Sequence, residues 1–214
     1  MKQKHFIDSH KGATVFVCVG LMAAYDQWEN TTAWIYLALH GTYGLLWMLK
    51  SKVFPDKQWE QETGLGYGLV IWGGLSLYWI APWLICSGGI EAPPWMLALC
   101  VFIFGFGTFW HFASDMQKHV TLSLKPGLFF DGLWAKSRNP NYFGEFLIYL
   151  AFVLMPLVDV NGQSGWERWI PCLALAAFVA FVWVPNMRRK DRSLSRYPEF
   201  AAYKERSGWM FPKL

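Results

Sequence analysis

Apolar residues fall in long blocks separated by short polar connections, without the two-residue alternation of a half-buried strand. Six blocks stand out, at residues 13–28, 32–49, 64–85, 93–113, 142–158 and 169–186. A helix that crosses a bilayer needs about 20 mostly apolar residues. The pattern therefore predicts an all-α, multi-pass transmembrane helical bundle of about six spans, in one integral-membrane domain over residues 1–214. No connection between blocks is long enough to separate two domains.

With six spans the cationic residues sort to one side. Lys2, Lys4 and Lys11 precede the first span, and Lys50, Lys52 and Lys57 follow the second. Lys118, Lys125, Lys136 and Arg138 lie between the fourth and fifth, and eight more run from Arg188 to Lys213. Only Arg168 remains for the other side, whose connections carry Asp26, Glu29, Glu91, Asp159 and Glu167. The positive-inside rule then places both termini in the cytoplasm. The start of the chain shows no small-residue cleavage site, so the first span is expected to serve as an uncleaved signal-anchor.

Composition supports this picture: 54% of residues are hydrophobic, 16% are charged, and 14 are tryptophan. The net charge of +4 follows from topology and gives no case for nucleic-acid binding. Cys18, Cys86, Cys100 and Cys172 lie in or beside apolar blocks without Cys-x-x-Cys spacing, so they read as packing residues and no metal site is expected. Compact connections favour a bacterial inner membrane as the setting.

Within the blocks, the first reads as scaffold. His40 and Tyr43 fall one turn apart on one face of the second, and ionisable groups at membrane depth tend to mark function. Packing against a neighbouring helix explains the pair equally well. Gly64, Gly66 and Gly68 open the third block as a small-residue packing surface, since no strand precedes them as a dinucleotide motif requires. The Asn30-Thr31-Thr32 sequon lies too close to the membrane to be read as a glycosylation site.

The densest polar chemistry sits where a basic loop meets the fifth block, at Ser137-Arg-Asn-Pro140-Asn-Tyr-Phe-Gly144-Glu145. Asn139 suits the N-cap and Pro140 the first turn of a helix, whose free N–H groups would face the loop and attract phosphate. Asn141, Tyr142, Glu145 and Tyr149 then recur at helical spacing. The tail from Arg188 to Arg206 interleaves arginines with Tyr197, Phe200 and Tyr203, a mixture suited to anionic lipid or to a nucleotide.

Taken together, Gln117-Lys118, Trp134, the Arg-x-Pro-Asn-Tyr-x-Gly-acid run and the basic-Tyr…Tyr tail resemble the sterol and steroid reductases. That superfamily includes sterol delta-14 reductases and steroid 5-alpha-reductases, and the likeness is greatest to small bacterial members. It covers roughly the carboxyl-terminal half. The resemblance implies an NADPH-dependent oxidoreductase acting on a carbon–carbon double bond of a lipid that enters from the bilayer. Its cofactor pocket would lie mainly within residues 114–214, bounded by Lys118, Trp134, Arg138, Asn141, Tyr142, Asp191, Arg196, Tyr197 and Tyr203. Glu145 matches an acidic position near the nicotinamide or substrate. His40 falls where the steroid reductases carry a carbonyl-polarising tyrosine, so His40 or Tyr43, backed by Glu145, is the expected donor to the substrate oxygen. Leu122 replaces an arginine of the sterol enzymes, which moves a phosphate contact to Lys125 or the tail.

Two other readings stand beside it. Isoprenylcysteine and phospholipid methyltransferases share an Arg-x-Pro-x-Tyr-x-Gly motif and bind S-adenosylmethionine, but they carry an acidic pair where this chain has Lys190-Asp191-Arg192. A non-enzymatic membrane component would have no evident use for the polar cluster around Asn141. Membrane lipids are expected partners under all three readings.

Overall fold

The computed structural model describes residues 1–213, all in helices and connections, with two isolated β-bridges the only extended pairing among the described residues. Five helical stretches are long and apolar enough to cross a membrane: Gln3–Ala24, Leu65–Ser87, Pro94–Leu124, Pro140–Leu157 and Trp166–Leu194. The remaining predicted span is also a helix, Thr31–Val53, but Thr32, Tyr36, His40 and Tyr43 dilute its apolar character. The protein is a multi-pass helical membrane bundle, and its described residues group into two compact units.

The first unit comprises residues 1–104 and 150–174. Helices α1 (Gln3–Ala24) and α2 (Thr31–Val53) form an antiparallel hairpin. They approach so closely that a Cβ on Gly44 would stand 2.6 Å from the Lys11 carbonyl oxygen, and one on Gly41 would stand 3.2 Å from Val15. Asn30 caps α2 by accepting the Ala33 N–H at 3.0 Å, and its amide donates to the Ile90 carbonyl at 3.1 Å. Asn30 is buried in these contacts. The third apolar stretch is α3 (Leu65–Ser76) and α4 (Ile80–Ser87), joined by a 3₁₀ turn over Leu77–Trp79. Of its expected packing glycines only Gly68 packs, against the ring of Phe6, while Gly64 and Gly66 face open space.

The connection after α2 is tied to the start of the chain by the Gln3 N–H on the Gln61 carbonyl at 3.0 Å and the Thr63 N–H on the Met1 carbonyl at 2.7 Å. Lys2 and Lys4 both pair with Glu60, holding its carboxyl below the usual range. At the other end of the unit Arg168, the lone cation expected outside, is buried in an ion pair with Asp159 at 3.2 Å.

The second unit comprises residues 105–149 and 175 onward. It contains the later part of α5 (Pro94–Leu124), the first turns of α6 (Pro140–Leu154), the end of α7 (Ile170–Phe178), α8 (Val184–Leu194) and α9 (Phe200–Arg206). Helices α7 and α8 are joined without a break by a π-helical turn, Val179–Trp183, a feature common at functional sites. Helices α5 and α6 meet at two glycines. A Cβ on Gly144 would lie 2.7 Å from the Gly107 carbonyl oxygen, and one on Gly107 would lie 2.7 Å from the Leu147 Cβ.

Candidate functional site

The helix expected at the basic junction begins at Pro140 as the sequence indicates. Asn139 is fully buried immediately before α6, and its carbonyl accepts the Phe143 N–H at 3.1 Å. Its side-chain amide donates to the Trp209 carbonyl at 2.8 Å, and Oδ1 accepts from Lys190 Nζ at 3.0 Å. Ser137 Oγ accepts the Asn139 N–H at 3.2 Å while donating to the Met210 carbonyl at 2.7 Å. The tail thus runs beside the loop as a short parallel pairing, with the Arg138 N–H on the Gly208 carbonyl and the Gly208 N–H on the Lys136 carbonyl, both at 2.9 Å.

Arg138 is the centre of this junction and is buried. Its Nε and Nη2 face the Asp191 carboxylate at 3.2–3.3 Å, and Nη1 donates to the carbonyls of Ser207 at 2.9 Å and Lys204 at 3.2 Å. The guanidinium and Asp191 therefore fasten α8 and α9 to the loop. Lys190 adds a bond to the Arg138 carbonyl at 2.9 Å and places its ammonium 4.3 Å from the centre of the Trp134 ring.

Trp134 is buried as well: its Nε1 donates to the Ser114 carbonyl at 3.0 Å, and its own carbonyl accepts the Tyr203 hydroxyl at 2.6 Å. The same hydroxyl reaches the Ser137 carbonyl at 3.1 Å. Burial pushes the Tyr203 phenol well above its ordinary pKa. Gln117 holds the loop before Trp134, donating to the Asp131 carbonyl at 2.9 Å and accepting the Leu133 N–H at 3.1 Å. Its neighbour Lys118 is half-buried near the end of α5.

The first turns of α6 face two ways. Tyr142 and Tyr149 share one partner, the buried Trp183 of the π turn, at ring distances of 5.3 and 6.2 Å. Gly144 and the Asn141 carbonyl lie against His111 of α5, whose Nδ1 is 3.1 Å from that carbonyl and must donate to it. His111 Nε2 lies 4.0 Å from Asp115, and both residues are buried. Asn141 Oδ1 is also buried, and it has no hydrogen-bond partner among the described residues. Glu145 follows one turn later and is half-buried.

Arg196 is exposed, with its guanidinium 5.0 Å from the Tyr197 ring centre and within 3.3 Å of that residue's hydroxyl. Arg188, Arg189 and Arg192 are exposed on α8. The second unit therefore brings Trp134, Arg138, Asp191 and Tyr203 into one bonded network, Tyr142 beside Trp183, and Arg196 onto Tyr197. Ser137 and Lys190, quoted in the sequence motifs without a role of their own, belong to the same region, as do Ser207, His111 and Asp115, which were not proposed as site residues. The four-residue spacing of His111 and Asp115, one helical turn apart at the end of the fourth block, was the available signal.

His40 and Tyr43 lie in the first unit, both fully buried. The Tyr36 hydroxyl donates to the Tyr78 carbonyl at 3.0 Å, so the 3.0 Å contact between His40 Nδ1 and that hydroxyl makes Nδ1 the donor. A neutral His40 then presents only a bare Nε2, and the donor role expected for it requires an imidazolium. Cys18, Cys86, Cys100 and Cys172 are free thiols, and no cluster of metal-ligating side chains occurs among the described residues.

The profile of the DUF1295 family, described as a protein of unknown function, matches residues 76–207. This interval includes every candidate site residue of the second unit from Lys118 to Tyr203 and leaves out His40 and Tyr43. The uncharacterized protein C594.04c of Schizosaccharomyces pombe is 29% identical over 97 residues, a stretch that is 45% of this chain and 27% of that protein. The chain thus spans about a quarter of the length of this relative. No solved structure matches. With more than half of its length covered by the profile, the chain belongs to the DUF1295 family, a steroid 5-alpha-reductase-like family.

Proposed function

We propose that the protein is an NADPH-dependent membrane reductase that saturates a carbon–carbon double bond conjugated with a carbonyl in a steroid, isoprenoid or related lipid. The observation that carries the proposal is Asn141 Oδ1, a buried acceptor without a partner among the described residues, in the motif that resembles the reductases. Buried polar atoms are nearly always satisfied, so an open one calls for a ligand or an ordered water. A carboxamide N–H donor, as on a nicotinamide, suits it.

The other groups fit a dinucleotide phosphate. Arg188, Arg192 and Arg196 are exposed and offer guanidinium forks to phosphate oxygens, and Tyr142 and Tyr197 offer rings. Arg138, Asp191, Lys190 and Trp134 hold the loop and tail that frame such a pocket. NADPH, when bound, supplies the hydride. Lys118 and Glu145 are the charged groups proposed nearest the cofactor and substrate. Tyr43, or His40 as an imidazolium, is the proposed donor to a carbonyl oxygen that gains negative charge. The proposed setting is a bacterial inner membrane.

The test is a titration of NADPH and S-adenosylmethionine on the purified full chain and on Asn141→Ala. Saturable NADPH binding, weakened about tenfold or more by the substitution, supports the reductase. Binding of S-adenosylmethionine alone moves the chain to lipid methyl transfer, and binding of neither overturns both.

A further inference from the structure

One helical stretch, Trp166–Leu194, carries the chain from apolar residues into the basic tail without interruption. Its last part, α8, divides by face. Met187 is buried, and Lys190 and Asp191 turn inward to the junction, where they hold Asn139 and Arg138. Arg188, Arg189 and Arg192 lie on the other side and are exposed. Four and three residues away, Arg188 and Arg189 are each neighbours of Arg192 on the helix surface. The bonds on the inward face thus fix which way a cluster of three guanidinium groups points.

Two observations say what that cluster meets. Its cations are unanswered: none of the three arginines forms an ion pair among the described residues, and the Asn186 side-chain oxygen that Arg189 bonds at 3.1 Å is neutral. Asp191, the carboxylate beside them in sequence, is taken by Arg138. Like charges at these spacings repel, so an anion set among them gains from all three. The exposed surface of the helix just before them is apolar. Phe181 is 80% exposed and Val182 39%, and Pro185 is exposed between them and Arg188. At a rise of 1.5 Å per residue, Arg188 follows Phe181 by about 10 Å. A bilayer passes from hydrocarbon to headgroup over a similar distance, since the polar layer of one leaflet is roughly 5–8 Å thick.

We infer that the outer face of α8 binds the phosphate of an anionic phospholipid. Guanidinium forks match phosphate oxygens, and the acyl chains of the same molecule cover Phe181 and Val182. A soluble phosphate meets the arginines but leaves those side chains bare. A zwitterionic headgroup brings its own cation and gains less from three arginines. The inference goes beyond the reductase reading and does not rest on it. Arg188 and Arg192 can meet a phosphate from either source, and competition between lipid and cofactor decides which source holds them.

The experiment is native mass spectrometry of the full chain released from detergent with equimolar phosphatidylglycerol and phosphatidylcholine of matched acyl chains. Preferential retention of phosphatidylglycerol is expected. An arginine near an anionic surface contributes about fivefold, so Arg189→Gln should lower that retention by about this factor and the triple change of Arg188, Arg189 and Arg192 to Gln by about tenfold or more. Thermal unfolding checks that each variant is folded, and Arg189→Gln decides the matter if the triple variant is not. Lys52→Gln with Lys57→Gln, which removes two exposed lysines of the first unit, should leave retention unchanged. Equal retention of the two lipids, an equal loss in the lysine variant, no loss in the arginine variants, or displacement by excess inorganic phosphate overturns the inference. Displacement by NADPH also overturns it and gives the arginines to the cofactor. NADPH titration of the wild type without added lipid reports on the reductase reading alone.

Discussion

Arg138 faces Asp191 through Nε and Nη2 while Nη1 holds the carbonyls of Lys204 and Ser207, so one guanidinium joins the junction loop, α8 and the end of α9. Removing one partner of a buried ion pair strands the other, at a cost of about 3–5 kcal/mol. Arg138→Ala is expected to lose stability in that range. Asp191→Asn should lose less, since its carboxylate is partly exposed. Denaturant unfolding in detergent, with limited proteolysis of residues 195–213, checks both; a stable Arg138→Ala with a protected tail contradicts the assignment.

Tyr203→Phe removes the hydroxyl shared by the Trp134 and Ser137 carbonyls and should cost about 1–2 kcal/mol. Burial raises the phenol's folded pKa above its unfolded value, so the folded chain keeps a proton that the unfolded chain releases above about pH 10. The stabilisation is therefore complete below that pH and is lost as pH rises further. Unfolding curves between pH 8 and 11 should show the wild type weakening more steeply than Tyr203→Phe.

Gly144→Ala places a methyl against the Gly107 carbonyl oxygen and the His111 backbone. Neither can move without separating α5 from α6, so a loss of about 1–3 kcal/mol is expected. Gly105→Ala is the matched control, because a Cβ there meets open space. Comparable losses in the two variants would argue against the close helix contact.

Asn141→Leu separates binding from folding. The substitution removes an unpartnered buried acceptor, so the cofactor-free protein should keep its stability within about 1 kcal/mol or gain slightly. NADPH binding should weaken all the same. Substantial unfolding would instead mean that Asn141 is held by the protein itself.

The sequence disclosed the helical membrane architecture, the start of α6 at Pro140 and the residues of the junction, because apolar blocks and the Asn-Pro dipeptide are local signals. What those residues do there was less accessible. The side chain of Asn139 also meets Lys190 and the Trp209 carbonyl, and both partners are distant in sequence. Ser137, Lys190 and Ser207 bond mainly to backbone carbonyls, which no residue pattern advertises. Lys11 was misplaced for a different reason: charge counting assigns a lysine near the end of an apolar block to water, whereas this one bends into an aromatic interior. α5 and α6 each run from one unit into the other without a break, so no linker in the sequence marks the boundary.

The pairing of the junction loop with the tail also sets an order in time. Asn139 waits for Trp209, 70 residues later in the chain. At ordinary elongation rates that is an interval of roughly 4–14 s. Until the tail emerges, Ser137, Arg138 and Asn139 are in place beside α6 with their partners still unmade. Assembly of the candidate site is therefore a late event in the life of the nascent chain, and a ribosome that stalls before Ser207 leaves an inserted protein without its bonded junction.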